Sequence, residues 1–254
     1  MIEMKKIVIK KDGTENSNKL NSAKLYNTMK KMGVGRAFEN EKELGYFVDK
    51  VYEIGRGKKV TIAKISDKSY SIFAGRTRVA KIQGGKLTKL RMPGLTDVED
   101  VDMFFAGRSI EYVTDAEFPD LVSAGEDFMV DAWELRRISM PSVQKLGPDC
   151  MVYAYQLEKF DAPSLIQAGD RLLLRGRDVR EFNAPNFTKI GRYTLYHNDK
   201  MEEISLPNVR KLPIGFMYAN AKLEEVNAHK LKHVDAACAE IFYDIVRKNC
   251  EKQR

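Results

Sequence analysis

The side chains with chemistry to offer in this 254-residue chain are three histidines, three cysteines and a surplus of lysines. His229 and His233 stand four apart, the spacing of two zinc ligands on one helical turn. They fall in a strand-and-turn register, however, and no carboxylate is placed to join them. There is no Gly-x-Ser-x-Gly nucleophile elbow, Cys-x-x-Cys pair, Walker phosphate loop or GxGxxG after a strand. Carboxylate pairs occur only on rows that face solvent. These features describe a binding protein and not an enzyme, with no metal site. The lysines are unevenly spread. Residues 1–86 hold 20 Lys and Arg against 9 Asp and Glu, a net +11, while the remainder hold 23 against 27, a net −4. Such asymmetry points to an anionic partner for the N-terminal part: a nucleotide, a nucleic acid or an acidic protein face.

The elements that must position these lysines can be read in order. Residues 5–11 alternate as a short strand, and Lys11-Asp12-Gly13 is a turn signal. Asn21 or Ser22 can cap a helix in which Leu20, Leu25, Met29 and Met32 keep helical spacing up to Gly33. A second helix is expected over 41–54, with Leu44, Phe47, Val48 and Val51 as its apolar stripe. Thr61 is placed to cap a third helix over 62–73, with Ile65, Tyr70 and Ile72 facing inward.

Beyond residue 84 a repeat takes over. Prolines fall at 119, 141, 163, 185 and 207, each 22 residues after the last. Apolar residues sit six, three and one positions before the proline and two and five after it, and Gly147, Gly169 and Gly191 sit six after it. A fixed short period of this kind marks a solenoid. Pro93 opens the series, and four extra residues separate it from Pro119. They are expected at Thr114–Glu117, bulging from the strand edge. His229 takes the proline slot of the last of seven turns. Cys150 falls on an apolar slot and reads as a reduced core thiol. The tail from Ala236 reads as an amphipathic helix with Ile241, Phe242, Ile245 and Val246 on its apolar face.

Two resemblances follow from these residues. VIKKDG at 8–13, AKLYNTMKKMGV at 23–34, VDKVYEIG at 48–55 and TIAKISDKSYSIF at 61–73 resemble the ATP-cone, a small nucleotide-binding module of ribonucleotide reductases and of a repressor of their genes. The resemblance implies a site for ATP or dATP. Lys10, Lys11 and Lys24 would meet phosphates, Thr61 would offer its hydroxyl, Val8 would pack on the base, and Asn21 belongs to the same motif. Lys11 stands where that family usually has arginine. The alternative is that the segment binds no nucleotide and is a plain cap or docking module on the first repeat, since solenoids need caps at their ends.

The pattern L-x-x-[IVF]-x-[LMA]-P-x-[LVF]-x-x-[LIAV]-G resembles the BspA-like class of leucine-rich repeats, known from bacteria, phages and protists. It implies one short strand per turn, stacked into a parallel sheet. The outward row of that sheet should hold Arg91, Ser139, Asp161, Asn183, Ser205 and Asn227. Beside it should lie Lys89, Tyr112, Arg137, Lys159, Glu181, Glu203 and Glu225, a row that changes from basic to acidic along the coil and suits a protein or peptide partner. Of these, Arg91, Tyr112, Arg137, Lys159, Asp161, Glu181, Asn183, Glu203 and Glu225 are the candidate contacts. Two inner stacks are expected: Met129, Met151, Leu173, Leu195 and Met217, and beside them Phe104, Val130, Val152, Leu174, Tyr196 and Tyr218. Arg171, Arg175, Arg177, Arg180 and Arg192 form an outward basic cluster.

The expected organisation is α/β: a basic, mainly helical module (1–84), a leucine-rich-repeat solenoid (85–235) and a C-terminal capping helix (236–254). No apolar run approaches the roughly 18 residues of a membrane span, no secretory signal is evident, and the cysteines are few and odd in number. A cytoplasmic location follows. The expected role is a non-enzymatic binder of a protein partner through the leucine-rich-repeat surface and a basic N-terminal docking domain, such as a phage or bacterial inhibitor or adaptor of a macromolecular complex. An ATP or dATP sensor is one alternative, and a nucleic-acid or ribonucleoprotein binder acting through the basic module is another.

Overall fold

The computed structural model describes residues 6–9, 22–31, 34, 37–54, 60–66, 68–100, 102, 105, 106 and 108–251. Strand β1 (Lys6–Ile9) and helices α1 (Ser22–Lys31) and α2 (Glu41–Ile54) come first. An antiparallel run follows: β2 (Val60–Ser66), β3 (Ser69–Ala74), β4 (Thr77–Gln83) and β5 (Lys86–Arg91). The chain then coils through β6 (Asp97–Val98), β7 (Asp115–Glu117), β8 (Ser123–Ala124), β9 (Arg137–Ser139), β10 (Lys145–Leu146), β11 (Lys159–Asp161), β12 (Gln167–Ala168), β13 (Glu181–Asn183), β14 (Glu203–Ser205), β15 (Lys211–Leu212), β16 (Glu225–Asn227) and β17 (His233–Val234). Helix α3 (Ile241–Glu251) ends it.

The repeat pattern fixes the coil. In one turn Leu135, Ile138, Met140, Val143 and Leu146 all lie inside, and the next turn places Leu157, Phe160, Ala162, Leu165 and Ala168 beside them. Each turn has three sides. The first carries the three-residue strands in parallel register, with Ile138 opposite Ala116 and Phe160. The second carries the two-residue strands, with Leu146 opposite Ala124 and Ala168. The third has no strand. There, left-handed residues alternate with right-handed ones: Asp149, Met151 and Tyr153 have φ of 58°, 56° and 62°. Their counterparts Asp127, Met129 and Asp131, Arg171, Leu173 and Arg175, and Tyr193, Leu195 and His197 repeat the alternation. On this side the N–H groups of the left-handed residues point both ways along the coil. Met151 donates back to Phe128, while Asp149 and Tyr153 donate forward to Asp170 and Leu174. A left-handed non-glycine residue costs about 1–2 kcal/mol, and the hydrogen bonds between turns offset that strain.

Met129, Met151, Leu173, Leu195 and Met217 form the expected inner stack, all fully buried. The stack expected beside it is not internal. Val130, Leu174 and Tyr196 are half-buried and Tyr218 is 45% exposed, so only Val152 is covered. Phe104 lies outside the described residues. Val152 apart, the residue after each core position here is turned outward, whereas the one before it (Phe128, Cys150, Leu172, Thr194 and Phe216) is buried. Two buried asparagines continue the column that holds Ala132, Ala154 and Gly176. Asn198 Nδ2 donates to the Leu173 carbonyl and Asn220 Nδ2 to that of Leu195, while the Asn198 N–H donates to Asn220 Oδ1.

The third helix expected over 62–73 is instead the hairpin β2–β3. Val60 and Ile62 are buried opposite Ala74 and Ile72, apolar positions two apart on each strand. Lys68, at φ 60°, lies in the turn between the strands. Ile65, expected inside, is 58% exposed. β1 pairs with β2, and β5 pairs with both β4 and β7, so one nine-stranded sheet runs from β1 to β13.

Helix α2 has the expected bounds, and its Leu44, Phe47, Val48 and Val51 are buried. Asn40 caps it by accepting the N–H groups of Lys42 and Glu43. The buried Glu43 carboxylate then accepts N–H groups from Glu39 and, across 66 residues of sequence, from Ser109 of the coil. At the other end α3 is shorter than expected and covers the last turn. Its Phe242 is fully buried, with its ring edge-on to Phe216 at 5.4 Å.

Candidate functional site

On the first side of the coil, residues i and i+2 of every strand face out. One row reads Lys89, Asp115, Arg137, Lys159 and Glu181, then Glu203 and Glu225. The other reads Arg91, Glu117, Ser139, Asp161 and Asn183, then Ser205 and Asn227. Asp115 occupies the place expected of Tyr112. The four extra residues lie between Val98 and Ala116, because these two are in register with Ala124 and Ile138. Thr114–Glu117 therefore does not bulge but supplies β7. Tyr112 lies off the row, with the Lys86 ammonium 3.4 Å from its ring centroid.

The basic half of this face is neutralised from within. Lys89 is 3.2 Å from Asp115, which also holds Arg137, and Arg91 pairs with Glu117 at 2.9 Å. Lys159 meets Glu181 at 2.6 Å, and Asp161 accepts hydrogen bonds from Ser139 and Asn183. Burial works against the Asp115 carboxylate, yet the Thr114 hydroxyl, Arg137 and Lys89 outweigh it and hold its pKa below the ordinary aspartate value.

The acidic half is different. The parallel ladder that runs from β5 to β13 stops there, and β14 and β16 form a separate two-stranded sheet. At this seam Phe182 is only half-buried, whereas Phe160, one turn earlier, is fully covered. A recess of about 600 Å³ opens beside it, lined by Arg180, Lys200, Glu202, Glu203, Glu224 and Glu225. Glu203 and Glu225 stand directly opposite in register, and the Glu224 N–H donates to the Glu202 carbonyl, so the four carboxylates form two side-by-side pairs. Among the described residues no ion pair joins them to Arg180 or Lys200. Like charges directly opposite on adjacent strands destabilise by about 0.2–1 kcal/mol. The recess therefore carries a net negative charge, four carboxylates against Arg180 and Lys200, next to an interrupted sheet. It can attract and hold a cationic group.

The other expected sites fare differently. Lys10, Lys11 and Asn21 lie outside the described residues. Val8 is on β1, directly opposite Thr61 on β2. Lys24 is in the first turn of α1. Thr61 is buried within a strand, so it caps no helix and sets no helix N-terminus against a phosphate. Cys150 is buried and its thiol is pushed up to about 12 by that burial, which leaves it unreactive at neutral pH. His233 Nε2 meets Asp235 at 2.8 Å and His229 Nδ1 meets Asn227, so the two histidines turn to different partners.

The third side bears outward arginines as expected, all exposed, among aromatic side chains that the repeat pattern did not place there. Trp133 is 44% exposed, Tyr193 39% and Tyr218 45%. The Arg175 and Arg177 guanidinium groups sit over the rings of Tyr153 and Tyr155 at 5.9 and 5.1 Å. Arg171 is held by Asp149. The Glu126, Asp127 and Asp149 carboxylates lie within 4.8 Å of one another, and burial together with Asp149 raises the pKa of Asp127.

No family model matches this chain, and no curated protein is similar to it. Among solved structures it is similar to a leucine-rich-repeat protein of T. pallidum: 14% identity over 63% of this chain and 82% of the other, at a TM-score of 0.52. The fold is a leucine-rich-repeat solenoid. A leucine-rich cell surface protein of Faecalibacterium prausnitzii A2-165 also aligns, at 13% identity over 69% of this chain and 42% of the other, with a TM-score of 0.38. In the solenoid, the face with stacked strands supplies an extended surface of repeated side chains, which fits an interaction module. No described helix is long and apolar enough to cross a membrane.

Proposed function

We propose that the chain is a non-enzymatic protein-binding module. In this reading it holds a partner through the acidic recess of the first side, and the partner presents an extended segment rich in lysine or arginine. The observation that carries the reading is the set of four carboxylates, Glu202, Glu203, Glu224 and Glu225, which share one recess and outnumber its two cations, Arg180 and Lys200. Charge that costs stability in the free protein and is relieved by a partner of opposite sign is the signature of a binding surface. The basic rows of the same face are already paired and offer less. An extended cationic segment fits the recess in a second way: where the ladder is interrupted, a chain laid along the seam can meet backbone groups as well as carboxylates.

The test is a double substitution, Glu203→Gln with Glu225→Gln, measured in two ways. Removing the opposed charges should raise the melting temperature by about 1–4 °C, as expected for a gain of a few tenths to about 1 kcal/mol in a domain of this size. The same variant should lose most of the calorimetric binding of a short arginine-rich peptide, which in the native protein weakens as salt is added. Unchanged peptide binding by a stabilised variant would refute the assignment.

A further inference from the structure

The third side carries charge in a definite order. Glu126, Asp127 and Asp131 occupy one turn, Tyr153 and Tyr155 the next, and Arg175 and Arg177 the one after. Successive turns are about 4.8 Å apart, the spacing of neighbouring strands, so acid and base are separated by the width of two turns with tyrosines between them. The Asp149–Arg171 pair joins the middle turn to the basic one and is satisfied within the chain. Asp170, in the basic turn, accepts the Arg192 N–H. Arg171 also attracts Asp127 and Glu126, and among the described residues Asp131, Arg175 and Arg177 form no ion pair.

The order disfavours the simple occupants. A nucleic acid or acidic protein would satisfy the arginines but meet the carboxylates about 10 Å away, roughly one Debye length at 0.1 M salt. A basic segment would meet the reverse. What satisfies both is a surface with acid, aromatic and base in the opposite order. The same face rotated by 180° about the Tyr153–Tyr155 turn is such a surface. A two-fold axis pairs residue i of one copy with j of the other and j with i, which is what a pattern antisymmetric about its middle requires. The composition also fits: tyrosine and arginine are the residues that carry binding energy at interface centres. Here they are held in place by stacking, with Arg177 5.1 Å from the Tyr155 ring centroid, so little freedom is left to lose on association.

We infer that the third side is a homodimer interface, in which two copies of this chain pack antiparallel across Tyr153 and Tyr155, the acidic turn of each against the arginine turn of the other. This rests on a different face from the acidic recess and stands or falls independently of it.

The experiment is sedimentation velocity on the full chain and two variants. One is Arg175→Asp with Arg177→Glu, which puts acidic residues on both flanking turns. The other is Asp127→Arg with Asp131→Arg, which puts arginines on both flanking turns. Each position can carry its new residue: Arg171 and Arg175 adopt the same left-handed backbone two turns after Asp127 and Asp131. The native chain should sediment increasingly as a dimer as concentration rises, and less so in high salt. Each variant alone should remain a monomer at the same concentrations. Mixed one to one, the two variants should form a dimer at least as strong as the native one, which also shows that both are folded. A native chain that stays monomeric up to ~1 mM, the weakest association of practical meaning, overturns the proposal. So does a mixture that stays monomeric.

Discussion

Gly169→Ala should be among the most damaging single substitutions in the chain, costing about 3 kcal/mol or more. Gly125, Gly147, Gly169 and Gly191 form a column at one corner of the coil, where the backbones of successive turns touch. A Cβ on Gly169 would lie 2.5 Å from the Pro148 nitrogen and 2.7 Å from the Gly147 carbonyl carbon. These are backbone atoms on a neighbouring turn and cannot swing aside, so the turns must separate. Overpacking in a tight core costs about 1–3 kcal/mol when side chains can yield and more when they cannot. Gly84→Ala is the control. That glycine has φ 60° but nothing within 4 Å of a Cβ, so its alanine should cost only the left-handed penalty of about 1–2 kcal/mol. Chemical denaturation of the two variants checks the difference. Gly169 is not itself left-handed, so equal losses would mean that the contact between turns does not explain the glycine column.

Phe242→Ala should remove about 3–5 kcal/mol, the usual range for a buried phenylalanine, and should do so locally. Phe242 is the fully buried anchor of α3 against Phe216 on the last turns. In a solenoid each turn contacts only its neighbours, so loss of an end cap frays the chain from that end. The seam between β13 and β14 gives the fraying a natural stopping point. Hydrogen exchange should show residues 201–240 losing protection while 113–180 keep theirs. Uniform loss along the whole coil would contradict this one-dimensional account.

These two effects separate what the sequence displayed from what it concealed. The proline period and the apolar positions around it are local and repeated, so the turns, the inner stack and the glycine corner could all be read from them. Residues 62–73 were misread because Ile65, Tyr70 and Ile72 also fit a helical spacing, and the hairpin turn at Lys68 contains no glycine or proline to mark it. What settles the strand is pairing with β1 and β4, elements on either side in sequence. Tyr112 was placed on the charged row because proline spacing reveals an insertion without locating it. The outward turn of Tyr196 and Tyr218 had no signal at all. Methionine, leucine, arginine and tyrosine occupy left-handed positions there, and residue type does not announce that conformation. The acidic run was visible in the sequence. The interruption of the sheet beside it was not, since the turn at 179–190 keeps the consensus residues and only the hydrogen-bond pattern changes.

The most direct test of the binding assignment is photo-crosslinking with an arginine-rich peptide bearing a benzophenone, followed by peptide mapping. The account predicts adducts concentrated at 180–183, 200–205 and 222–227, the segments around the acidic recess, and their loss when Glu203 and Glu225 are both changed to glutamine. Adducts confined to the third side or to the N-terminal helices, or adducts that persist in that variant, would contradict it.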